Sequence, residues 1–472
     1  MACAFLLNGE KVVLEGVEPS QTLLPLLREK LRHTGTKEGC AEGDCGACTV
    51  LLGELTAPGE VRWRAANACI LLAPMVAGKA VLTVEGIGGE GLADADGLHP
   101  VQRAMVECHA SQCGFCTPGF VLSLYGRAVG AQGTAGMAVA DVLQGNLCRC
   151  TGYGPILAAG ESVPATPRDD RATAAALSAL GGAGQFASAD DLAAHLLAHP
   201  ETRIVAGGTD VGLWITKQLR DVGALAFIGD IPELRRIEER ADGLRLHAAV
   251  TYSMAHQALA RLHPQLGELV RRIAGTQVRN MGTVCGNIAN ASPIGDMPPA
   301  LIALGAEVTL RRGAERRTLP LERYFLRYGQ QDRLPGEFVE SVFIPRLGPD
   351  ALFRVTKLTK RFDSDISAVC GAFHLALEGG KVAAARIAFG GMAGVPARAS
   401  ACEAALAGHD WSEASVAEAV AALARDYQPL DDLRGSASYR VTVAGNLLRR
   451  LWHESQHPGE PVSVLDEGLA DG

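Results

Sequence analysis

Cys40, Cys45 and Cys48 stand at the spacing Cys-x4-Cys-x2-Cys, and Cys69 follows after twenty intervening residues. This is the plant-type pattern for a 2Fe–2S cluster. Three thiolates come from one loop that curls around the metal, and the fourth approaches from elsewhere. Gly39, Gly43 and Gly46 are expected to give that loop positive φ and to keep side chains off the inorganic sulfides, leaving backbone N–H groups to bond them. Zinc favours two well-separated Cys-x2-4-Cys pairs, which a three-cysteine loop fits poorly. A second set, Cys113-x2-Cys116 with Cys148-x-Cys150, consists of two short pairs. On its own it suits a cluster, a zinc site or a thioredoxin-like dithiol. Pro118 sits where it can open a helix whose N-terminus faces these thiols and favours negative charge there.

The rest of the composition agrees with redox chemistry. Thirteen cysteines are an odd number, which argues against a disulfide framework in a chain of 472 residues. Nine of them lie between Cys40 and Cys150. Cys108, Cys370 and Cys402 read as small buried apolar residues, and the histidines show no ligand spacing. The net charge of −8 gives no basic excess for nucleic acid. No apolar run approaches the roughly 18 residues of a membrane span, and the N-terminus lacks a basic n-region. The expectation is a soluble, cytoplasmic protein of roughly two to four domains.

Elements must place the cysteines. Phe5-Leu6-Leu7, the turn Asn8-Gly9-Glu10 and Val12-Val13-Leu14 predict a β-hairpin. Leu23–Leu31 has helical spacing, and Thr49–Leu52 reads as a strand after the cysteine loop. From His99 the texture turns helical, with Pro100 opening one helix, Gly119–Val129 forming another, and a start at Asp141–Gln144. Residues 161–190 read as a linker without a core pattern. An α/β texture then begins. Ile204-Val205-Ala206 predicts a strand running into Gly207-Gly208-Thr209-Asp210 and a helix from Val211. That shape can cradle a phosphate, although Gly-Gly after a strand is often only a turn. The run from Gly282 to Asp296 is rich in small polar residues without periodicity and reads as a loop against a ligand. Neither stretch is the G-x-G-x-x-G fingerprint, so no Rossmann fold is indicated. Strands over Ala368–Leu377 and Val382–Phe389 and helices over Ala399–Ala407, Glu413–Ala424 and Ala437–Trp452 close the chain.

Gln112-Cys-Gly-Phe-Cys-Thr-Pro-Gly119 and Gly145-Asn-Leu-Cys-Arg-Cys-Thr-Gly-Tyr153, with Glu38-Gly-Cys-x-Glu-Gly-Asp-Cys-Gly-Ala-Cys48 upstream, closely resemble the cluster motifs of the molybdenum hydroxylases. That family includes xanthine dehydrogenases, aldehyde oxidases and carbon monoxide dehydrogenases. The resemblance covers about residues 3–158 and 195–450. It implies an α+β multidomain chain: a plant-ferredoxin-like β-grasp domain (1–88), a four-helix 2Fe–2S domain (89–160), the linker (161–190), an α+β FAD-binding domain (191–348) and an α+β end domain like that of carbon monoxide dehydrogenase flavoproteins (349–460). It further implies that Cys113, Cys116, Cys148 and Cys150 hold a second 2Fe–2S cluster. Gln112 falls where the family contacts molybdopterin across a domain boundary, unless it caps the following helix.

The resemblance also implies FAD. By position, Ile204, Val205, Ala206, Gly207, Gly208, Thr209, Asp210 and Val211 would wrap its diphosphate and ribityl chain, and Thr283, Val284, Cys285, Gly286 and Asn287 would form a second loop. Asp296, Val339 and Lys357 fall at further FAD contacts, and Ile273 sits where a flavin-proximal aromatic is common. Cys285 departs from the usual glycine, and Gly208 from the asparagine of some relatives. Lys357 would stabilise anionic reduced flavin, or is a surface lysine. Lys360–Asp365 either shapes a nicotinamide entrance or is a solvated turn. No molybdenum-binding domain is recognisable, so the resemblance is to the small subunit of the family's bacterial xanthine dehydrogenases. It implies a separate molybdenum-bearing large subunit, two copies of each chain, and a relay from molybdenum through the second cluster, the first cluster and FAD to NAD+. Equivalent subunits acting on aldehydes or N-heterocycles, or a non-enzymatic electron carrier, are the competing expectations.

Overall fold

The computed structural model describes residues 2–88, 96–181, 184–348 and 350–458. Its first sheet has five strands, β1 (Cys3–Leu7), β2 (Glu10–Leu14), β3 (Thr49–Ala57), β4 (Glu60–Asn67) and β5 (Ala80–Leu82), in the order β2-β1-β5-β3-β4. The β1–β2 hairpin turns at Asn8 and Gly9, with φ of 53° and 92°, the paired positive values of a tight hairpin turn. The expected Leu23–Leu31 helix is present but begins as one turn, Leu23–Pro25, and widens into a π-helical segment, Leu26–Lys30. Leu23, Leu24, Leu26 and Leu27 are buried against the sheet. The β3–β4 hairpin explains the cysteine spacing. Thr49 pairs with Asn67, so Cys48 just before β3 and Cys69 just after β4 return to the same end of the sheet. The twenty residues between them are the length of a hairpin out and back.

Helices Pro100–Glu107, Thr117–Ala128, Val139–Val142 and Gly154–Ser162 follow. Pro100 lies in the first turn, behind an N-cap at His99 whose ring accepts from the Val101 N–H. Residues 161–190 differ from the expectation of a patternless linker: Arg171–Leu180 is helical and buries Ala174 and Leu177. Just ahead of that helix, Asp170 accepts the Trp63 indole N–H at 3.0 Å and an Arg168 N–H at 2.7 Å. The Arg168 guanidinium lies over the Trp63 ring at 4.8 Å. Low-complexity alanine hid a helix that docks on the first sheet.

Beyond it, Arg203–Val205 and Leu225–Phe227 form a parallel pair. A five-stranded antiparallel sheet runs Glu315–Pro320, Glu307–Arg312, Phe338–Pro345, Gly243–His247, Ile237–Glu239. The end sheet orders Ala351–Leu358, Val369–Glu378, Lys381–Gly390 and Ala397–Arg398, covered by helices Ser400–Leu406, Glu413–Asp426 and Ala437–Gln456. One core joins the last two sheets, for Phe353, Val355, Cys370, Ala372 and Ala388 pack with Val284, Leu301 and Val342. Among the described residues no helix is long and apolar enough to cross a membrane.

Asp170→Ala leaves the Trp63 N–H without its acceptor and removes the Arg168–Asp170 ion pair. We expect a loss of about 1–3 kcal/mol, measured as a lower denaturant midpoint. An unchanged midpoint would show that the connecting segment is not docked.

Candidate redox site: two thiol quartets and a glycine-walled cavity

The sheet end gathers the first quartet. Cys40 Sγ accepts N–H groups from Glu42 (3.4 Å), Asp44 (3.4 Å) and Cys45 (3.3 Å). The Cys40 thiol also meets those of Cys45 and Cys69, and Cys48 meets Cys69. Hydrogen bonds from neighbouring thiols pull Cys40 and Cys48 below the ordinary thiol range, while the same contacts push Cys45 and Cys69 above it. The loop differs from expectation in one detail. Ala41, Gly43 and Gly46 take positive φ, whereas Gly39 does not. Gly39 is needed for space, because a Cβ there would lie 2.7 Å from Cys45 Sγ.

The second quartet lies where the helical segment meets solvent. Cys113 and Cys150 are exposed, with their sulfurs 3.3 Å apart. Burial, reinforced by contact with Cys148, pushes Cys116 up to about 12. The Cys148 sulfur is 3.1 Å from the Thr151 hydroxyl, and the Cys148 N–H donates to the Tyr153 hydroxyl at 3.0 Å. Helix Thr117–Ala128 starts immediately after Cys116, with Pro118 in its first turn. Its N-cap is Cys116 and no side chain caps it, so Gln112 is not a cap; it is exposed beside Cys113. Among the described residues no three His, Cys, Asp or Glu side chains surround one point suited to a single ion. The first quartet's thiols touch in a chain, Cys45–Cys40–Cys69–Cys48, and the second's as Cys113–Cys150 and Cys116–Cys148; such all-cysteine sets, three of the first from one glycine-rich loop, suit a 2Fe–2S cluster better than one zinc.

The two cysteine loops touch. The Leu147 N–H donates to the Cys45 carbonyl at 3.0 Å, and the Asn146 side chain donates to the Gly46 carbonyl at 3.3 Å. One hydrogen bond therefore links the backbone beside Cys148 to a first-quartet cysteine.

On the other side of the first quartet opens a cavity of about 1080 Å³, large enough for a dinucleotide. Glu42, Gly43, Asp44 and Ile70, from the cysteine loop and next to Cys69, form one wall. All eight residues Ile204–Val211 line it, as do Ile273, Thr283, Cys285, Gly286, Asn287 and Val339. Three of the expected contacts lie elsewhere. Val284 is fully buried in the hydrophobic core. Asp296 and Lys357 pair with each other at 2.6 Å, and Ser367 donates to Asp296 at 2.5 Å. That buried pair neutralises the cation expected beside the flavin.

The cavity wall fits an anionic, backbone-hugging ligand. A Cβ on Gly207 would meet the Met281 carbonyl oxygen at 1.8 Å, so only glycine lets the strand pass there. Gly208, at φ 74°, caps helix Thr209–Thr216, whose N-terminus faces the cavity. The Asn287 side-chain oxygen is buried without a partner. The stretch read as a loop, Gly282–Asp296, in fact carries helix Val284–Asn290, because Thr283 caps it by accepting the Gly286 N–H at 2.9 Å and Val284, Cys285 and Ile288 face the core. Cys285 is tolerated because its thiol turns away and donates to the Leu246 carbonyl at 3.5 Å; burial raises it to about 12. Burial also lifts the Asp210 carboxyl to about 6. In the Lys360–Asp365 turn, Lys360, Arg361, Ser364 and Asp365 line the mouth, while Phe362 stacks under Arg272 at 3.9 Å. The turn is thus part of the cavity rim. Sequence reading missed Glu42–Asp44, Ile70 and the Arg333–Glu337 wall, which reach the cavity from distant parts of the chain and carry no local motif.

Four family models match in succession: a 2Fe-2S iron-sulfur cluster binding domain over residues 5–73, a 2Fe-2S binding domain over 83–161, an FAD binding domain in molybdopterin dehydrogenase over 184–347, and a CO dehydrogenase flavoprotein C-terminal domain over 354–455. Xanthine dehydrogenase of Emericella nidulans is 31% identical over 95% of this chain and 38% of its own length. Xanthine dehydrogenase/oxidase of Gallus gallus is 30% identical over 89% of this chain and 37% of its own. The chain thus spans under two-fifths of these relatives. Among solved structures, a Cu,Mo-CO dehydrogenase chain matches with a TM-score of 0.53 and 29% identity, covering 56% of this chain and 93% of that one. A chain of quinoline 2-oxidoreductase from Pseudomonas putida 86 matches at 0.52 and 26%, covering 57% and 94%. The chain belongs to the molybdenum hydroxylase family, with that family's iron–sulfur and FAD-binding architecture.

Gly207→Ala is expected to abolish flavin retention, because the methyl group collides with backbone; purified protein should lose its visible flavin absorbance, and full retention would refute the assigned cradle. Asp210 ionises as pH rises through about 6, placing negative charge beside an anion site. Flavin affinity should therefore fall between about pH 5 and 7, and Asp210→Asn should flatten that dependence in a titration.

Proposed function

We propose that this chain is the electron-transfer module of a xanthine dehydrogenase, carrying electrons from hypoxanthine or xanthine oxidation at a molybdenum site on a separate large subunit to NAD+. The carrying observation is the unbroken line from the solvent-facing thiols of Cys113 and Cys150, through the Leu147–Cys45 hydrogen bond, to the first-quartet loop that walls the cavity. In this reading Cys113, Cys116, Cys148 and Cys150 hold one 2Fe–2S cluster, Cys40, Cys45, Cys48 and Cys69 hold the other, and Ile204–Val211 with Thr283–Asn287 hold FAD. When bound, these groups supply one-electron steps joined to hydride chemistry. The protein's part is to fix separations, exclude water and set the local field.

Phe115, Leu147 and Tyr153 are 47%, 37% and 36% exposed around the outer thiols. That apolar rim is where we place the large subunit, with Gln112 reaching toward its pterin, in an assembly of two copies of each chain in the cytoplasm. The purine assignment is supported by the relatives whose similarity runs through both iron–sulfur parts and the flavin part. The quinoline 2-oxidoreductase and CO dehydrogenase likenesses favour, as a second reading, the same module in a family member with another substrate.

The test is the complex copurified with its partner. Xanthine should bleach the flavin and reduce NAD+; bleaching by aldehydes or N-heterocycles but not by xanthine would move the assignment to the second reading. In the same complex, Cys148→Ser should remove one cluster and block bleaching by substrate, while NADH still reduces the flavin. Loss of the NADH reaction as well would contradict the proposed order.

A further inference from the structure

The flavin-binding part reaches into both iron–sulfur parts through one short helix, Thr276–Arg279. Gln277 on it is 1% exposed. Its side-chain nitrogen lies 3.0 Å from the Thr49 hydroxyl, 3.2 Å from the Ser123 hydroxyl and 3.0 Å from the Asn146 carbonyl oxygen. Thr49 follows Cys48, and its hydroxyl donates to the Gly46 carbonyl at 2.6 Å. Asn146 lies two residues before Cys148 and donates to that same carbonyl, while Ser123 donates to Asn146 at 2.7 Å. One buried amide thus gathers groups from both cysteine loops and from the helix behind the second quartet.

The surrounding backbone has no slack. A Cβ on Gly46 would lie 2.2 Å from the Gly145 carbonyl, one on Gly145 would lie 2.1 Å from the Gln277 side-chain oxygen, and one on Gly275 would lie 2.3 Å from Gly145 Cα. The Gln277 oxygen is itself buried without a partner. An apolar side chain of the same size would fill this space without stranding a carbonyl. What the amide contributes is therefore its N–H groups, which hold the register of one cysteine loop against the other.

Resting on the reading that both quartets hold clusters, we propose that Gln277 is a positioning residue for electron transfer: it clamps the two cluster loops at one separation and ties that separation to the flavin-binding part. The other long side chains of its helix and the residue after it support the clamp. Arg279 donates to Gln144 at 2.9 Å, and Asn280 donates to the Ala65 carbonyl at 3.0 Å.

The test uses the full chain, reduced with dithionite and observed by electron paramagnetic resonance, where two nearby reduced clusters split each other's signals. Gln277→Met keeps the volume and removes the donors. It should retain the iron and flavin content of the native protein yet lose or change the spin–spin splitting, and slow electron equilibration between the clusters after rapid partial reduction. A melting temperature alone that falls, with splitting and equilibration unchanged, overturns the proposal and leaves a packing residue. If Gln277→Met loses iron, Ser123→Ala, which withdraws one acceptor from the same amide, takes its place under the same criterion. Native protein that shows no pair of cluster signals would instead sink the underlying two-cluster reading.

Discussion

Crowded sulfur is the constraint on which the rest of this molecule depends. Each quartet brings four thiols from separate stretches of chain into mutual contact, an arrangement suited to a shared cationic centre. Everything nearby serves the crowding. The β3–β4 hairpin returns Cys69 to Cys48, positive-φ residues fold the first loop over Cys40, and a helix N-terminus stands behind Cys116. Cys48 and Cys69 are buried in the core of the first sheet, while Cys40 and Cys45 stay half-exposed on the loop above it.

The second requirement is continuity. A carrier of electrons needs no general base here; it needs short, fixed gaps. The cysteine loops meet backbone to backbone, and the first loop becomes a wall of the large cavity. Charged contacts hold the flavin-binding half against this core. Lys79 pairs with Asp230 at 2.8 Å, and Glu54, drawn down to about 2, takes Arg64 and Arg235 against the resistance of its own burial. The seam is thus more than apolar contact, and its polar pairs fix an orientation that hydrophobic area would leave loose.

Much of this was legible in the primary structure, and the reasons are local. Cysteine spacing reports a loop because a loop is a sequence-local object, and Asn8-Gly9 reports a turn for the same reason. The strand-to-helix passage at Gly207-Gly208 was readable because only glycine passes the Met281 carbonyl. The terminal strands and helices fell close to their hydrophobic periods. What escaped was tertiary. Helix Val284–Asn290 hides in small polar residues because its cap and one buried face suffice to form it. Lys357 looked available to a flavin until Asp296, sixty-one residues earlier, took its charge. Gln277 shows nothing in sequence, since its partners at Thr49, Ser123 and Asn146 come from far up the chain.

The docked helix Arg171–Leu180 has a consequence for how the halves meet. A free tether would let the iron–sulfur and flavin parts part and rejoin at a rate set by its length, with a local concentration in the millimolar range. Here the connecting chain is itself pinned, through Trp63, Asp170 and buried Leu177, to the sheet that carries the first quartet. The two halves are therefore pre-assembled in a way that dilution cannot undo. With all four family segments on one polypeptide, their encounter is a unimolecular fact, so the entropy of bringing them together is spent once, at folding, and not again at each turnover.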